Sequence, residues 1–571
     1  MNTKKMTGAE ALILACEKHG VTHIFGYPGG ANIPIFDALI ESPVKLILSR
    51  HEQGATHMAD GYARATGNAG VVLVTSGPGA TNTITGIMTA HMDSVPMIII
   101  CGQTITANLG LDSFQEADVS GISYPVVKHS YLIKNPHDTP RIVQEAFHIA
   151  ESGRPGPVLI DVPKDVSSAR IQPDFEQELE LPGYLNPKTA DKKAINAAAR
   201  LLSSAAKPVI LAGHGIIIGK AEKELKKLAE TLHAPVISTL LGKGAIPETH
   251  KLSLGMLGMH GTAYANMAVK DTDCIISIGS RWDDRIVGDA TVFCHHASRI
   301  HIDIDPAEHN KMIEVDIFIN SDAKIALTEL IAAIKPAPTK AWLEQVAEWK
   351  RTFPLVASTA HGLEAQYILK VLDEKSDNNT IIVTDVGQHQ MWAAQFCKTT
   401  APHNWLSSGG AGTMGFGFPA AIGAQIACPR KKVVAVVGDG GYQMTMPELA
   451  TAAINKLPLT VLILDNRYLG MVRQWQDMFY DKRIVGVDLV GNPDFVKVAE
   501  AYGVKGFHLT KVKDVQQVLS EALAYRDGPT VIHAEVIKED NVFPMIPAGA
   551  SYDKMLLEAP KQKLAKPKGS T

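Results

Sequence analysis

The chain has 571 residues, of which 46% are hydrophobic and 20% charged, and its net charge is −4 at neutral pH. This length exceeds what one hydrophobic core organises and predicts about three domains. Proteins that bind nucleic acids or membrane surfaces usually carry an excess of positive charge. The weakly negative net charge of this chain therefore does not favour either kind of partner. Apolar runs fall short of the ~18 residues of a membrane span, and the N-terminal segment lacks the apolar region of a signal peptide, so we expect a cytoplasmic protein.

Six cysteines are scattered singly along the sequence, and no two have the spacing of a metal site. Several lie within apolar segments that predict strands or helices. We therefore expect buried, reduced thiols.

Residues 1–167 alternate apolar runs with helical segments. The runs are short and β-branched, which is typical of strands buried in a parallel sheet. They lie at Lys45–Ser49, Val71–Thr75, Met97–Cys101 and Val158–Val162. We expect an α/β domain here, followed by an acidic, Pro-containing linker over 168–190.

The same alternation returns over 191–335 and predicts a second α/β domain. Its predicted strands are Pro208–Ala212, Pro235–Thr239, Asp273–Gly279 and Arg299–Asp303, with a helix over Lys220–His233. The Gly213-x-Gly215 pair after the first strand is consistent with a phosphate-binding turn, although two glycines alone carry little specificity. A second linker is predicted over 336–360.

The third predicted domain spans 361–545 and is followed by a C-terminal tail over 546–571. Its most informative segment comprises a strand over Val433–Val437, a Gly-rich turn over 438–441, a helix starting at Pro447 and a strand over Thr460–Leu464. Strands joined in this way lie parallel, and their carboxyl ends share one edge of the sheet. We therefore expect the side chains of Asp439 and Asn466 to emerge about 5 Å apart.

Asp439 and Asn466 offer a carboxylate and an amide oxygen, which are hard ligands suited to Mg²⁺. The neighbouring glycines let backbone N–H groups approach a diphosphate, and a helix N-terminus adds its positive dipole end. The GDG tripeptide also has a simpler interpretation. It would then be a Gly-rich turn between a strand and a helix, in which Asp and Asn act only as capping residues. The position of Asn466 at the end of the next strand favours the metal site.

Residues 71–104 match residues 433–466 without a gap, at an offset of 362 positions. The strand, the turn, the helix and the returning strand agree in length. Gly77 occupies the position of Asp439, and Thr104 occupies that of Asn466. We therefore expect two copies of one βαβ module, of which only the second carries metal ligands.

The GDG turn, followed by a helix, a strand and Asn, resembles the signature of enzymes that use thiamine diphosphate (ThDP). The resemblance implies that Mg²⁺ is held by Asp439, Asn466 and the backbone carbonyl of Tyr468. ThDP and Mg²⁺ are therefore expected cofactors.

Glu52 lies in the RHEQGA stretch, residues 50–55, which follows a strand and opens a helix. By itself it is a first-turn acid placed favourably for the helix dipole. In the resemblance, Glu52 hydrogen-bonds the aminopyrimidine ring of ThDP and promotes removal of the thiazolium proton. Because Glu52 and the metal ligands belong to different domains, the family's active site at a subunit interface implies a homo-oligomer, either a dimer or a tetramer.

The motif RWDDR, residues 281–285, resembles the RFDDR motif of the FAD-binding acetohydroxyacid synthase (acetolactate synthase) large-subunit family, with Trp in place of Phe. LGMHG over 257–261 and LGMVRQWQ over 469–476 match the same family. The resemblance covers roughly residues 7–559. It implies three doubly wound parallel-sheet domains, which bind the pyrimidine of ThDP, FAD, and the diphosphate with Mg²⁺, in that order.

The resemblance also implies four groups of site residues. The catalytic residues are Glu52, Gln115 and Lys164. The ThDP contacts are Gly30, Pro78, Asn82, Val386, Gly387, Gln388, His389, Gly412, Met414, Gly440, Gly441 and Met471. The FAD contacts are Arg154, Gly213, Gly215, Thr239, Leu240, Met259, His260, Gly279, Arg281, Asp283, Arg285, Asp303, Asp322, Gln390 and Met391. The substrate residues are Ala31, Phe114, Arg285, Val472 and Trp475.

Three of these residues have plainer interpretations when the resemblance is set aside. Lys164 is equally typical of a solvated surface lysine. Met414 and Trp475 are of the kinds that most often fill a hydrophobic core.

Members of the family decarboxylate pyruvate and join the two-carbon unit to a second 2-ketoacid. Pyruvate as acceptor gives 2-acetolactate, and 2-ketobutyrate gives 2-aceto-2-hydroxybutyrate, in the first common step of branched-chain amino-acid biosynthesis. The reaction has no net redox change, so FAD is expected in a non-redox role. The resemblance also allows for a small regulatory subunit as a partner.

Three alternatives remain. A catabolic acetolactate synthase without flavin is disfavoured by RWDDR and Trp475. A pyruvate-oxidase-type flavoenzyme would consume oxygen or a quinone with pyruvate. A non-catalytic ThDP-binding paralogue is disfavoured because Glu52, Asp439 and Asn466 are all present.

Overall fold

A computed structural model describes residues 5–558 of the chain. It contains three α/β domains, each built on a six-stranded sheet in which all neighbouring strands are parallel. The predicted fold class is thereby confirmed. The end of the predicted tail, from residue 559, lies outside the described residues. Within residues 5–558, no helix combines the length and the apolar character needed to cross a membrane.

The N-terminal domain contains a sheet in the order β3-β2-β4-β5-β7-β6 and a small antiparallel pair, β1 with β8. Its strands are β1 (Met6–Thr7), β2 (His23–Gly26), β3 (Lys45–Leu48), β4 (Gly70–Val74), β5 (Met97–Gln103), β6 (His129–Leu132), β7 (Pro157–Pro163) and β8 (Arg170–Ile171). Its helices are α1 (Gly8–Lys18), α2 (Ile33–Ala38), α3 (Glu52–Thr66), α4 (Pro78–Thr81), α5 (Ile84–Asp93), α6 (Val119–Ser123), α7 (Thr139–Glu151) and α8 (Lys164–Ser168).

The central domain has the order β11-β10-β9-β12-β13-β14. Its strands are β9 (Pro208–Ala212), β10 (Val236–Ser238), β11 (Ser253–Met256), β12 (Cys274–Ile278), β13 (Ser298–Asp303) and β14 (Ile317–Asn320). Its helices are α9 (Lys192–Ser204), α10 (His214–Ile218), α11 (Glu222–Leu232), α12 (Ala263–Asp271), α13 (Asp284–Val287), α14 (Ala323–Ala333) and α15 (Lys340–Thr352).

The C-terminal domain has the order β16-β15-β17-β18-β20-β19. Its strands are β15 (Thr380–Thr384), β16 (Trp405–Leu406), β17 (Lys432–Gly438), β18 (Thr460–Asp465), β19 (Lys505–Leu509) and β20 (Thr530–Glu535). Its helices are α16 (Ala365–Lys375), α17 (Gln388–Phe396), α18 (Gly417–Ala427), α19 (Asp439–Thr445), α20 (Leu449–Ile454), α21 (Gly470–Phe479), α22 (Phe495–Ala501) and α23 (Val515–Ala524).

The N- and C-terminal sheets have the same topology. If the strands of each sheet are ranked along the chain, both have the spatial order second, first, third, fourth, sixth, fifth. The central sheet follows a different order. This agreement supports the internal duplication expected from the matching segments 71–104 and 433–466.

Helices α3 and α18 cross between the N- and C-terminal domains. The crossing is close because both helices present glycines: a Cβ on Gly61 would collide with the backbone of Ala420, and one on Gly423 with the backbone of Met58. A single hydrophobic cluster extends through both domains around this contact. The two domains are therefore packed as one body.

The structure corrects the predicted linker over 336–360. Helix α15 occupies much of it, and Trp342 and Val346 are buried in the central domain. Likewise, Ile546 and Tyr552 from the predicted tail pack into the same hydrophobic cluster. These segments carry enough apolar surface to be held against the domain.

The helix predicted to start at Pro447 begins earlier. Helix α19 starts directly at Asp439, and a 3₁₀ turn over Met446–Glu448 separates it from α20. The glycines of the GDG segment thus form the first turn of a helix, so the N–H groups of that turn are free of intrahelical partners.

Candidate active site

A cavity of about 840 Å³ lies between the central and C-terminal domains, and residues of the N-terminal domain at the ends of α5 and α7 also line it. Residues that follow the carboxyl ends of strands line it on both sides, including Thr239 and Gly279 from the central domain and Val386 and Asn466 from the C-terminal domain. This edge is where parallel α/β sheets bind their ligands.

The predicted metal ligands lie at one corner of this cavity. Strands β17 and β18 pair with Gly438 opposite Leu464, so Asp439 and Asn466 follow on neighbouring strands. Both residues line the cavity, as does Tyr468. The Asn466 Oδ1 atom accepts a hydrogen bond from the Tyr468 backbone N–H at 3.1 Å, which holds the turn between them.

Asp439 stands beside a second carboxylate, Asp465. The Asn492 Nδ2 atom bridges them by donating to Asp439 Oδ2 at 2.7 Å and to Asp465 Oδ1 at 3.2 Å. Burial, followed by repulsion from Asp465, raises the pKa of Asp439 to about 7. A divalent cation bound by Asp439 would offset that repulsion, so the residues of this corner fit Mg²⁺.

We call the part of the cavity lined by Asp439, Asn466 and Tyr468 the metal corner. Three helix N-termini reach the cavity beside it. Gly387, Gly440 and Gly470 lie at the starts of α17, α19 and α21, and all three line the cavity. A Cβ on Gly470 would collide with the Gln388 side chain, and one on Gly441 with the Asp385 carboxylate. Free backbone N–H groups and positive helix ends at one place suit a diphosphate.

His389 and Met414 line the same part of the cavity. Burial lowers the pKa of His389 to about 3, so its ring is neutral at physiological pH. Its Nε2 atom finds no hydrogen-bond partner within residues 5–558. A buried polar atom of this kind is normally satisfied by a ligand or water, which supports a ligand at this position.

The cavity continues into the central domain along the predicted flavin contacts. All of them line it except Gly213. A Cβ on either Gly213 or Gly215 would collide with the backbone of Gly279, so these glycines allow the turns after β9 and β12 to touch. The buried Ser321 hydroxyl, which lines the cavity, has no hydrogen-bond partner among the described residues. These features fit an elongated, polar cofactor.

The RWDDR loop is anchored by its tryptophan. Trp282 is buried and holds a left-handed backbone conformation with φ = 53°. Its ring makes edge-on contacts with Phe293 and His301, with centroids 5.8 and 5.7 Å away. The indole is thus accommodated by an aromatic pocket, and Arg281, Asp283 and Arg285 on either side of it line the cavity.

Trp475 and Arg285 form part of the cavity wall. The Arg285 guanidinium lies over the Trp475 ring, 5.6 Å from its centroid, which is a cation–π contact. Met471 and Val472 precede Trp475 on α21, and all three line the cavity. The Trp475 Nε1 atom has no partner in the described part of the chain. An aromatic face, an apolar stripe and a cation suit a small carboxylate substrate.

Apart from Arg154, the predicted residues of the N-terminal domain do not line this cavity. They are Gly30, Ala31, Glu52, Pro78, Asn82, Phe114, Gln115 and Lys164. Several instead meet at the edge of their own sheet. The Asn82 Nδ2 atom donates to Glu52 Oε2 at 3.0 Å, and Gln115, with φ = 56°, packs against Gly77. Phe114 is 90% exposed.

The sequence did not point to several residues that shape the site. Asp465 precedes Asn466 at the end of a predicted strand and belongs to no motif, and Asn492 comes from a loop without a motif. Gln388 Nε2 donates to Gln474 Oε1 at 2.9 Å and thereby ties α17 to α21. Glu448 reaches across to the N-terminal domain. In the sequence, Glu448 is only the second residue of the helix predicted to start at Pro447.

Family models for thiamine pyrophosphate enzymes match all three domains. The N-terminal TPP binding domain matches residues 6–122, the central domain residues 195–330, and the C-terminal TPP binding domain residues 385–534. The match to the C-terminal TPP binding domain includes the three helix N-termini described above.

Whole-length relatives have also been found. A probable acetolactate synthase large subunit from Methanocaldococcus jannaschii is 48% identical over 560 residues, covering 95% of this chain and 94% of the relative. An acetolactate synthase from Mycobacterium bovis is 44% identical, covering 97% and 91%. An acetolactate synthase large subunit from Pyropia yezoensis is 44% identical, covering 97% and 96%. The chain therefore belongs to the thiamine pyrophosphate enzymes and, within them, to the family of acetolactate synthase large subunits.

Proposed function

We propose that this chain is the catalytic subunit of an acetohydroxyacid synthase, a ThDP-dependent carboligase. It decarboxylates pyruvate and condenses the two-carbon unit with pyruvate or 2-ketobutyrate, giving 2-acetolactate or 2-aceto-2-hydroxybutyrate. The observation that carries the proposal is one cavity lined both by Asp439 and Asn466 and by the wall of Trp475 and Arg285.

In this proposal Asp439, Asn466 and the Tyr468 carbonyl hold Mg²⁺. The N–H groups at the starts of α17 and α19 bind the diphosphate. Bound ThDP supplies the carbanion chemistry of decarboxylation and carbon–carbon bond formation. The chain orients the cofactor, and apolar side chains such as Met414 and Met471 exclude water from it.

Glu52 holds or moves a proton at the aminopyrimidine end of the cofactor, and Asn82 orients its carboxylate. Glu52 does not line the cavity that contains Asp439. We therefore infer that a second copy of the chain contributes Glu52, with Gly30 and Pro78 beside it, to each site. This requires a homodimer or a tetramer. Gln115 and Lys164 act from the same side, together with Ala31 and Phe114.

The second 2-ketoacid binds against Trp475. The indole face packs its alkyl group, and the Arg285 guanidinium attracts its carboxylate. This cation is only half buried, so it meets an incoming anion while remaining partly solvated.

FAD, bound along the central domain by Arg281, Asp303 and Asp322 among others, acts structurally. Bound ligand stabilises the native state by RT ln(1 + [L]/Kd) and so holds the domain contacts that shape the channel. The phrase "large subunit" in the relatives' names supports a small regulatory subunit as a further partner.

One assay tests the proposal. The purified protein is incubated with pyruvate, ThDP and Mg²⁺, and acetolactate and the flavin absorbance are followed together. We expect acetolactate to form while the flavin stays oxidised. Stoichiometric flavin reduction by pyruvate at the turnover rate would favour an oxidase. Full activity in flavin-free protein would favour a catabolic synthase.

A further inference from the structure

A carboxylate and two imidazoles cluster on the C-terminal domain outside the cavity. Asp494, His508 and His533 each offer a ligand atom, and these atoms lie within 4.8 Å of one another. None of the three residues lines the cavity. Since β19 and β20 pair with His508 opposite His533, both imidazoles project from the same face of the sheet. Asp494 stands over them as the N-cap of α22.

The buried member of the cluster has an unused ring nitrogen. His533 is only 6% exposed, and its Nε2 atom lies 2.8 Å from Asp465 Oδ2. A carboxylate accepts hydrogen bonds, so Nε2 carries a proton, and whenever the ring is neutral its Nδ1 atom keeps a lone pair. That Nδ1 atom has no partner within residues 5–558. A carboxylate that orients an imidazole in this way is the usual support of a metal-binding histidine.

We propose that Asp494, His508 and His533 bind a first-row transition-metal dication such as Zn²⁺, with solvent in the remaining position. Two imidazole nitrogens and one carboxylate oxygen suit such ions, whereas Mg²⁺ prefers oxygen ligands alone. The proposal rests on this cluster and is independent of the proposed enzymatic function.

The spacing is close to what the ion requires. Bonds of about 2.0–2.1 Å in a tetrahedron place ligand atoms roughly 3.4 Å apart. The His508 Nε2 atom is already 3.7 Å from Asp494 Oδ1. His508 is half exposed on an edge strand, so it has room to close the remaining distance. The Lys497 ammonium is 3.9 Å from Asp494 Oδ2, but its side chain is 80% exposed and free to move away.

The site is connected to the cavity through side chains. Asp465 orients His533 and shares the Asn492 amide with Asp439. The two metal positions are thus joined by a chain of hydrogen bonds, which gives the outer ion a route to affect Asp439.

Titration of the full chain with ZnSO₄, in the presence of saturating Mg²⁺, tests the proposal by calorimetry. His508→Gln removes one ligand from an exposed position. Asp494→Asn removes the negative charge and keeps an N-cap side chain. We expect either change to weaken Zn²⁺ binding by about tenfold or more. His361→Gln, an exposed histidine of the same domain, is the matched control and should leave binding unchanged.

Co²⁺ provides a spectroscopic readout that scattered surface binding would not give. We expect a visible d–d absorption band in wild type and in His361→Gln, and its loss in His508→Gln. Zn²⁺ should also raise the thermal midpoint of wild type but not that of His508→Gln. Equal Zn²⁺ affinity in all four proteins, or wild-type affinity no tighter than that of His508→Gln, would overturn the site.

Discussion

The carboxylate of Glu448 accepts a hydrogen bond from the backbone N–H of His51 at 3.0 Å, across 397 residues of sequence. The Arg50 N–H donates to the same carboxylate. These bonds lie at the N-terminus of α3, whose first residue is Glu52. The helix that carries the proposed proton-handling residue is thus held at its start by the C-terminal domain.

Glu448 should give the protein a pH-dependent stability. Burial raises its pKa to about 7, from 4.5, against the lowering effect of its hydrogen bonds. The folded state therefore binds this proton more tightly than the unfolded chain. The resulting stabilisation is complete below about pH 4.5 and is lost as the pH rises through about 7.

We expect wild type to lose stability relative to Glu448→Gln across this window, by at most about 3 kcal/mol, in urea denaturation. The difference between them should be constant above about pH 8. Glu500→Gln, an exposed glutamate of the same domain, is the control. A wild-type advantage that does not change with pH would contradict the assigned burial effect.

Asp439→Ala should abolish Mg²⁺-dependent ThDP binding while the fold is retained, because it removes the charged ligand of the proposed metal site. Calorimetric titration with ThDP and Mg²⁺ measures the loss. Asp527→Ala changes the same charge at an exposed position of the domain and should bind normally. Undiminished ThDP affinity in Asp439→Ala would remove this residue from the metal site.

Glu52→Gln should keep ThDP binding but slow exchange of the thiazolium proton with deuterated solvent, by about 10²–10⁴-fold. The oxygen of the glutamine amide can still accept the hydrogen bond from Asn82. The amide cannot, however, bind and release a proton as the carboxylate does. Glu41→Gln, an exposed control in the same domain, should exchange at the wild-type rate. An unchanged rate in Glu52→Gln would refute the proton-handling role.

Trp475→Leu should lower the preference for 2-ketobutyrate over pyruvate as acceptor. The aromatic wall packs the extra methyl group, and such contacts discriminate by about 1–3 kcal/mol. Acetolactate formation should persist. Trp475→Phe keeps an aromatic face and should retain more of the preference. Competition between the two acceptors measures it, and an identical product ratio in all three proteins would exclude Trp475 from the acceptor pocket.

Local rules were sufficient to predict the metal corner. The β-branched runs of β17 and β18, the helix between them and the parallel connection predict that Asp439 and Asn466 lie at one edge of the sheet. The same rules predicted three parallel sheets, because buried strands of this kind have a clear apolar pattern.

Contacts between remote segments could not be predicted in this way. Asn492 and His533 reach Asp465 from a loop and from a strand whose positions depend on the whole sheet order. Helix α15 had a visible signal, since Trp342, Val346 and Trp349 recur at helical spacing. The prolines that flank this segment favour a linker. The segment is nevertheless helical, because its apolar side chains are buried against the central domain.

The crossing of α3 and α18 has a consequence for how the molecule comes apart. One apolar cluster runs through both repeated domains, and each of these domains has a second cluster on the other side of its sheet. We therefore expect the two repeats to open together, with the amides of these two helices exchanging with solvent when the two domains separate. Separation of the two domains would expose the apolar surface of the cluster that they share.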